Sequence, residues 1–244
     1  MNGVGSAARV AIIALLLIAG CAAISSVTGG DPMLAAEVAS ASLIAIWLAQ
    51  VARAARRALI HARRLSIRSR EASVSGTTVR ILADPAPVAF VSGLFRPRIY
   101  LSPSLIDILD DRELRGVLLH EGHHRTTLAP LRSLVLEAWR HTLGWLPPVR
   151  RALLARLAAL EIEADAAAVA EGVRPATLAS ALLKCDPHSP AAASAFSTAA
   201  EVRISELVAW GRTERAGRHR SLPLEWAAPA TAAVALLACH LVGV

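Results

Sequence analysis

Leu119-His120-Glu121-Gly122-His123-His124 places two histidines four residues apart with a glutamate between them. On an α-helix, positions i and i+4 share one face, so His120 and His124 project one turn apart and can reach a single Zn²⁺. Glu121 lies about 100° round the helix, poorly placed as a ligand but able to touch a water on the metal, as a general base for hydrolysis must. At this composition an HExxH match arises by chance roughly 0.01 times per chain, so a third ligand has to be found. Leu160-Glu161-Ile162-Glu163-Ala164-Asp165 offers one on a second expected helix. Glu161 completes a His₂Glu set with one position left open, the arrangement of catalytic zinc. Asp165, a turn later on the same face, can accept the other N–H of a ligand histidine and fix its tautomer. Glu163 points elsewhere, to solvent or to an arginine. His123 is expected beside the cleft or at the surface, and not on the metal.

These side chains need elements that bring them together. Asp110 with Glu113 three residues on is a capping box that opens the HExxH helix. Upstream, Thr78–Ala83, Val88–Phe90 and Arg98–Leu101 read as short strands, the last a candidate edge for an extended peptide. Leu128–Leu146 is apolar yet interrupted by Arg132, Glu137 and Arg140. A full membrane crossing there would separate Glu161 from His124. The segment is therefore expected to turn at Pro147-Pro148 and return, dipping into the interface or packed against neighbouring spans. Val149–Gly172 follows as a long helix, with further helix at Thr177–Cys185 and Ala200–Trp210.

Composition sets the surroundings. Of 244 residues, 55% are hydrophobic and 18% charged, against about 25% charged for a soluble domain. Mean hydropathy is +0.48. Both disorder and an ordinary soluble globule are disfavoured. Val10–Val27 and Leu34–Ala52 read as a membrane hairpin within residues 1–52, and residues 227–244 as a C-terminal membrane helix. Residues 53–72 are a basic linker without an acid from 53 to 70, placing that side in the cytoplasm; the same block also suits an anionic lipid surface. The expected topology has the N-terminus inside, a cytoplasm-facing domain at 73–220, and the C-terminus outside. The net charge of +7 comes from arginines beside apolar runs, and aromatics are only 4%, so direct nucleic-acid binding is not expected. Cys21, Cys185 and Cys239 form no zinc knuckle or disulfide framework. Cys21 after Ile18-Ala19-Gly20 has the look of a lipidation site, but the apolar run continues to Val27, and a small residue within a membrane helix is the preferred reading.

The run Ser92-Gly93-Leu94-Phe95-Arg96-Pro97-Arg98-Ile99-Tyr100-Leu101-Ser102-Pro103, then Glu113-Leu114 and Val117–His124, with Glu161–Asp165 downstream, resembles the BlaR/MecR type of membrane zinc metallopeptidase. Arg203-Ile204 with Leu207 resembles that family's late Arg-Ile motif. The resemblance covers roughly residues 76–210. It implies an α-helical membrane protein carrying an α+β gluzincin-like domain with a strand hairpin before the HExxH helix. Zinc would sit on His120, His124 and Glu161, with Glu121 as catalytic base and Arg203 a weak candidate for the oxyanion. It also implies regulatory cleavage of a protein substrate, such as a cytoplasmic transcriptional repressor or the peptidase itself. The chain ends with its last expected span, leaving no room for an extracytoplasmic β-lactam sensor, so antibiotic sensing is not carried over. The HtpX/CAAX-protease group shares HExxH and ExxxD and is the nearest alternative, although its Asn-Ala-Phe segment is missing here. A non-catalytic membrane module with a closed structural zinc site is the third reading.

Overall fold

A computed structural model describes residues 32–185 and 196–213. The expected span Val10–Val27, Cys21 and the expected C-terminal span at 227–244 lie outside the described residues. Helix α1 (Pro32–Arg68) leads into strands β1 (Ser69–Val74), β2 (Thr77–Leu82), β3 (Ala89–Ser92) and β4 (Arg98–Leu101). Helices α2 (Pro103–Ile108), α3 (Asp111–Thr126), α4 (Ala129–Leu143), α5 (Pro147–Ala170), α6 (Pro175–Cys185) and α7 (Phe196–Thr213) follow. The architecture is mixed, with one small sheet among helices.

The chain divides into two compact units. Among the described residues the first takes 32–53 and 135–153, and the second takes 54–134, 154–185 and 196–213. In the first unit the rings of Trp47 and Trp139 stack with centroids 5.0 Å apart. Val135, Leu136 and Ala138 are buried nearby in sequence. The excursion after the HExxH helix therefore packs against the segment expected as the second span, and Pro147-Pro148 opens the returning helix α5. Proline suits that first turn, where its missing N–H would have no intrahelical partner.

Two boundaries differ from expectation. Leu34–Ala52 is not a separate element: helix α1 continues through the arginine block to Arg68, so residues 53–72 are helix and then strand. Among the described residues no helix is long and apolar enough to cross a membrane. The end of α1 is held by Arg80, whose guanidinium donates to the carbonyls of Ser66 and Ser69 at 2.8 and 2.9 Å and to Ser69 Oγ at 2.8 Å. These bonds satisfy carbonyls that a helix end leaves without partners.

In the second unit the sheet order is β1-β2-β4-β3. The β1–β2 pair is antiparallel, β2–β4 parallel and β4–β3 antiparallel, with Phe90 opposite Tyr100 and Val91 opposite Ile99. Strand β4 is thus interior, and β3 is an edge. The expectation that β4 offers a free edge is corrected here: Ile99, Tyr100 and Leu101 are each at most 2% exposed. Gly93 permits the β3–β4 connection, with φ of +115° and Arg96 O only 2.8 Å from where a Cβ would sit. Val79, Ile81, Ile99 and Leu101 form the core with Leu105, Leu114 and Leu118 from α2 and α3.

Helix α3 opens with the expected capping box. Asp110 accepts from the Arg112 and Glu113 N–H groups, and Glu113 accepts from Asp110 N. Glu113 also accepts from Ser180 Oγ and Lys184 Nζ, each at 2.6 Å, tying α3 to α6. Burial opposes the Glu113 charge, but these hydrogen bonds outweigh it and hold the carboxyl below its ordinary range. Gly116 lets the same two helices approach, since a Cβ there would lie 3.1 Å from Leu178 Cδ2.

Candidate metal centre

Helices α3 and α5 bring His120, His124 and Glu161 together, with one donor atom from each inside a 4.8 Å cluster. His120 Nε2 and His124 Nε2 are 3.0 Å apart. Glu161 places Oε2 at 3.5 Å from the first and Oε1 at 3.4 Å from the second. Ligand atoms 2.0–2.1 Å from a tetrahedral ion lie about 3.3 Å from one another, so the donor set fits a zinc-sized ion. The chemistry agrees. Asp165 Oδ1 lies 2.8 Å from His120 Nδ1, which makes Nδ1 the protonated nitrogen and leaves the Nε2 lone pair facing into the cluster. Two imidazole nitrogens and a carboxylate converging in this way call for a cation. Glu121 stays outside the cluster, on α3 between the two histidines.

The site is sheltered unequally. His120, Glu121, His124 and Asp165 are buried, whereas the Glu161 side chain is 31% exposed, so the cluster opens on the Glu161 side. Considering protein groups alone, burial raises the Glu121 pKa, and the nearby histidines only partly counter it. Burial also disfavours charge on His120, yet its bonds to Asp165 and Glu161 prevail and lift it to about 9. The Glu161 and Asp165 carboxyls are held below their ordinary values despite burial, chiefly by hydrogen bonds to the histidines and, for Asp165, to Arg203.

Arg203 on α7 is where the sequence reading falls short. Its Nε and Nη2 donate to the two oxygens of Asp165, each at 2.8 Å, and Nη1 donates to Glu161 Oε2 at 3.3 Å. A guanidinium engaged on two carboxylates at once holds the site together, and the oxyanion role implied by resemblance is not what this geometry favours. Only the resemblance pointed to Arg203, because no local spacing links it to residues some 40 positions upstream. Glu163 meets arginines, as one of its two expected fates: Arg156 Nη1 at 2.7 Å and Arg132 Nη2 at 3.5 Å. His123 lies outside the cluster, as expected.

A cavity of about 120 Å³ adjoins the cluster, lined by His120, Glu121, Arg203 and apolar residues from α3, α6 and β3. A buried carboxyl beside a three-ligand site, with a cavity adjoining both, is the arrangement of hydrolytic metal centres.

Comparison with known families matches the model of Peptidase family M48 to residues 54–139. No curated protein and no solved structure matches the chain. The match supports a metallopeptidase and includes His120, Glu121 and His124. It ends before Glu161, Asp165 and Arg203, whose association with the histidines rests on the geometry above, and it does not reach the finer BlaR/MecR placement.

Proposed function

We propose that this chain is a membrane-associated zinc metalloendopeptidase that performs regulatory cleavage of a protein substrate from a cytoplasm-facing cleft. The observation that carries the reading is the convergence of His120, His124 and Glu161 with Glu121 buried beside them. His120, His124 and Glu161 would hold the ion. Zinc bound there supplies Lewis-acid polarisation of the peptide carbonyl and makes a water nucleophilic near neutral pH. Glu121 takes the proton of the attacking water and returns it to the leaving amine. Asp165 keeps the His120 lone pair aimed into the site, and Arg203 fixes Asp165 through paired hydrogen bonds. Strand β3, the edge whose Ala89 lines the cavity with His120 and Glu121, holds an extended substrate by backbone hydrogen bonds.

A closed structural zinc site needs a fourth protein ligand. Among the described residues the cluster has three, and Asp165 is engaged by His120 Nδ1 and Arg203. For membrane association, Val38, Leu43, Ile44, Ile46 and Leu48 on α1 are exposed, and the stretch after them is rich in arginine and free of acids to residue 70. A cytoplasmic repressor, or the chain itself, remains the substrate expected from the resemblance to BlaR/MecR-type peptidases.

The test is peptide hydrolysis by the purified full-length chain. Activity should vanish with a chelator, return with zinc, and fall at least about 100-fold in Glu121→Gln. Undiminished hydrolysis by Glu121→Gln, or by the chelated protein, would refute the reading.

A further inference from the structure

Helix α1 presents two unlike faces along residues 54–68. Ala58 and Ala62 are half-buried and Leu65 is buried, so theirs is the covered side. At about 100° per residue, Ile60 and Ile67 fall within about 20° of each other on the opposite side, two turns apart. Ile60 is 43% exposed and Ile67 76%. Arg56 and Arg63 flank this apolar line on one side, and Arg57 and Arg64 flank it on the other, all within about 70° of it. All four arginines are exposed.

A solvated helix face mixes charges of both signs and keeps its centre polar. Here no acid occurs from 53 to 70, and the centre is isoleucine. The other arginines sharpen the contrast. Arg80, Arg132, Arg140, Arg156 and Arg203 each lie against a carboxylate. Among the described residues, Arg56, Arg57, Arg63 and Arg64 make no ion pair and no side-chain hydrogen bond.

Four uncommitted guanidiniums around two exposed isoleucines match the boundary of an anionic bilayer. Lipid phosphates take paired hydrogen bonds from a guanidinium. The long arginine stems let those contacts form while the isoleucines sink about 5–10 Å into the acyl boundary. Nucleic acid would satisfy the charge but leave the isoleucines against a polar backbone. No aromatic residue stands between 53 and 68 to stack on a base.

We infer that the outer face of residues 56–67 lies in the plane of an anionic phospholipid surface, with the four arginines on lipid phosphates and Ile60 and Ile67 in the acyl boundary. The inference rests on the membrane association proposed above and deepens it by naming the face and the lipid class; it does not depend on hydrolysis.

The experiment uses the full-length chain with Cys21, Cys185 and Cys239 replaced by serine and a single cysteine introduced by Ile67→Cys. That cysteine carries a nitrobenzoxadiazole probe, whose emission shifts to the blue on leaving water. Vesicles are phosphatidylcholine alone or with about 30% phosphatidylserine, and flotation of the chain is read alongside. The blue shift, and quenching by lipids spin-labelled near the headgroup, should appear with the anionic vesicles and not with the neutral ones. Combined Arg56→Gln, Arg57→Gln, Arg63→Gln and Arg64→Gln should return the probe to its spectrum in water, a loss on the order of 100-fold in partitioning, with zinc binding unchanged. Salt at about 0.5 M should weaken the response of the parent chain in the same direction, an independent measurement should the fourfold variant fail to fold. A probe that stays in water on both vesicle types while the chain floats leaves membrane association standing and overturns the face. An equal shift on neutral vesicles, or a shift produced by polyglutamate or duplex DNA without lipid, also overturns it. A chain that floats with neither vesicle type defeats the membrane-associated reading together with this one.

Discussion

Glu161 and Asp165 sit one turn apart on α5 yet differ in what their loss should do. Glu161→Ala removes an oxygen from the metal cluster and should lower zinc affinity severely, leaving two imidazoles. Asp165→Ala leaves all three donors and should cost about 10–100-fold in affinity or activity, so excess zinc restores it far better. Chelator competition on the two variants checks the order, and equal losses would merge the roles separated here. Arg203 belongs to the same account. Asp165 is 1% exposed and takes two bonds from the guanidinium, so Arg203→Ala leaves a buried carboxylate with its bond to His120 but without its cation. Breaking such a pair costs about 3–5 kcal/mol. Thermal denaturation should show that loss, and Arg203→Lys should recover only part of it, because an ammonium cannot reproduce the paired geometry. An oxyanion role would instead lower kcat and leave stability unchanged.

At the level of elements, Glu163 shows how a neighbour of the site becomes structural. The side chain is 16% exposed and clasped by Arg156 and Arg132, from the returning helix and from α4. Glu163→Ala should destabilise the protein by about 1–3 kcal/mol in denaturant melts while leaving zinc content intact; loss of zinc would mean that the α5 register is misassigned. The capping residue Glu113 gives a pH signature. Its carboxyl is held below the ordinary value of 4.5, so its contribution is complete above that value and disappears as pH falls through the lower folded one. Lys184→Met should move acid unfolding to higher pH; an unchanged acid limb would remove Glu113 from the stabilising set. The HExxH helix, its capping box and the returning excursion were legible because each is written in local spacing. Strand β1 was not, since Arg70 and Glu71 continue the polar character of the preceding block and only Ala72 and Val74 pack inward. Strand order was not legible either, although the unbroken run Ile99-Tyr100-Leu101 carries the mark of a strand buried on both faces. Arg203 is beyond local reach because its partners are distant in sequence.

For the whole molecule, the orientation proposed from the arginine block is open to a direct check. With Cys21, Cys185 and Cys239 replaced by serine, a single cysteine introduced by Arg70→Cys should resist a membrane-impermeant maleimide in intact cells and react after permeabilisation. Labelling in intact cells would reverse the proposed side. The central claim, that two imidazoles and one carboxylate hold a zinc ion with a position open for chemistry, is tested most directly by zinc K-edge absorption on the purified full-length protein. The account predicts one zinc per chain bound by nitrogen and oxygen at about 2.0–2.2 Å, with two imidazole signatures that fall to one in His124→Ala. A zinc bound by sulfur, or an imidazole count unchanged in His124→Ala, would contradict it.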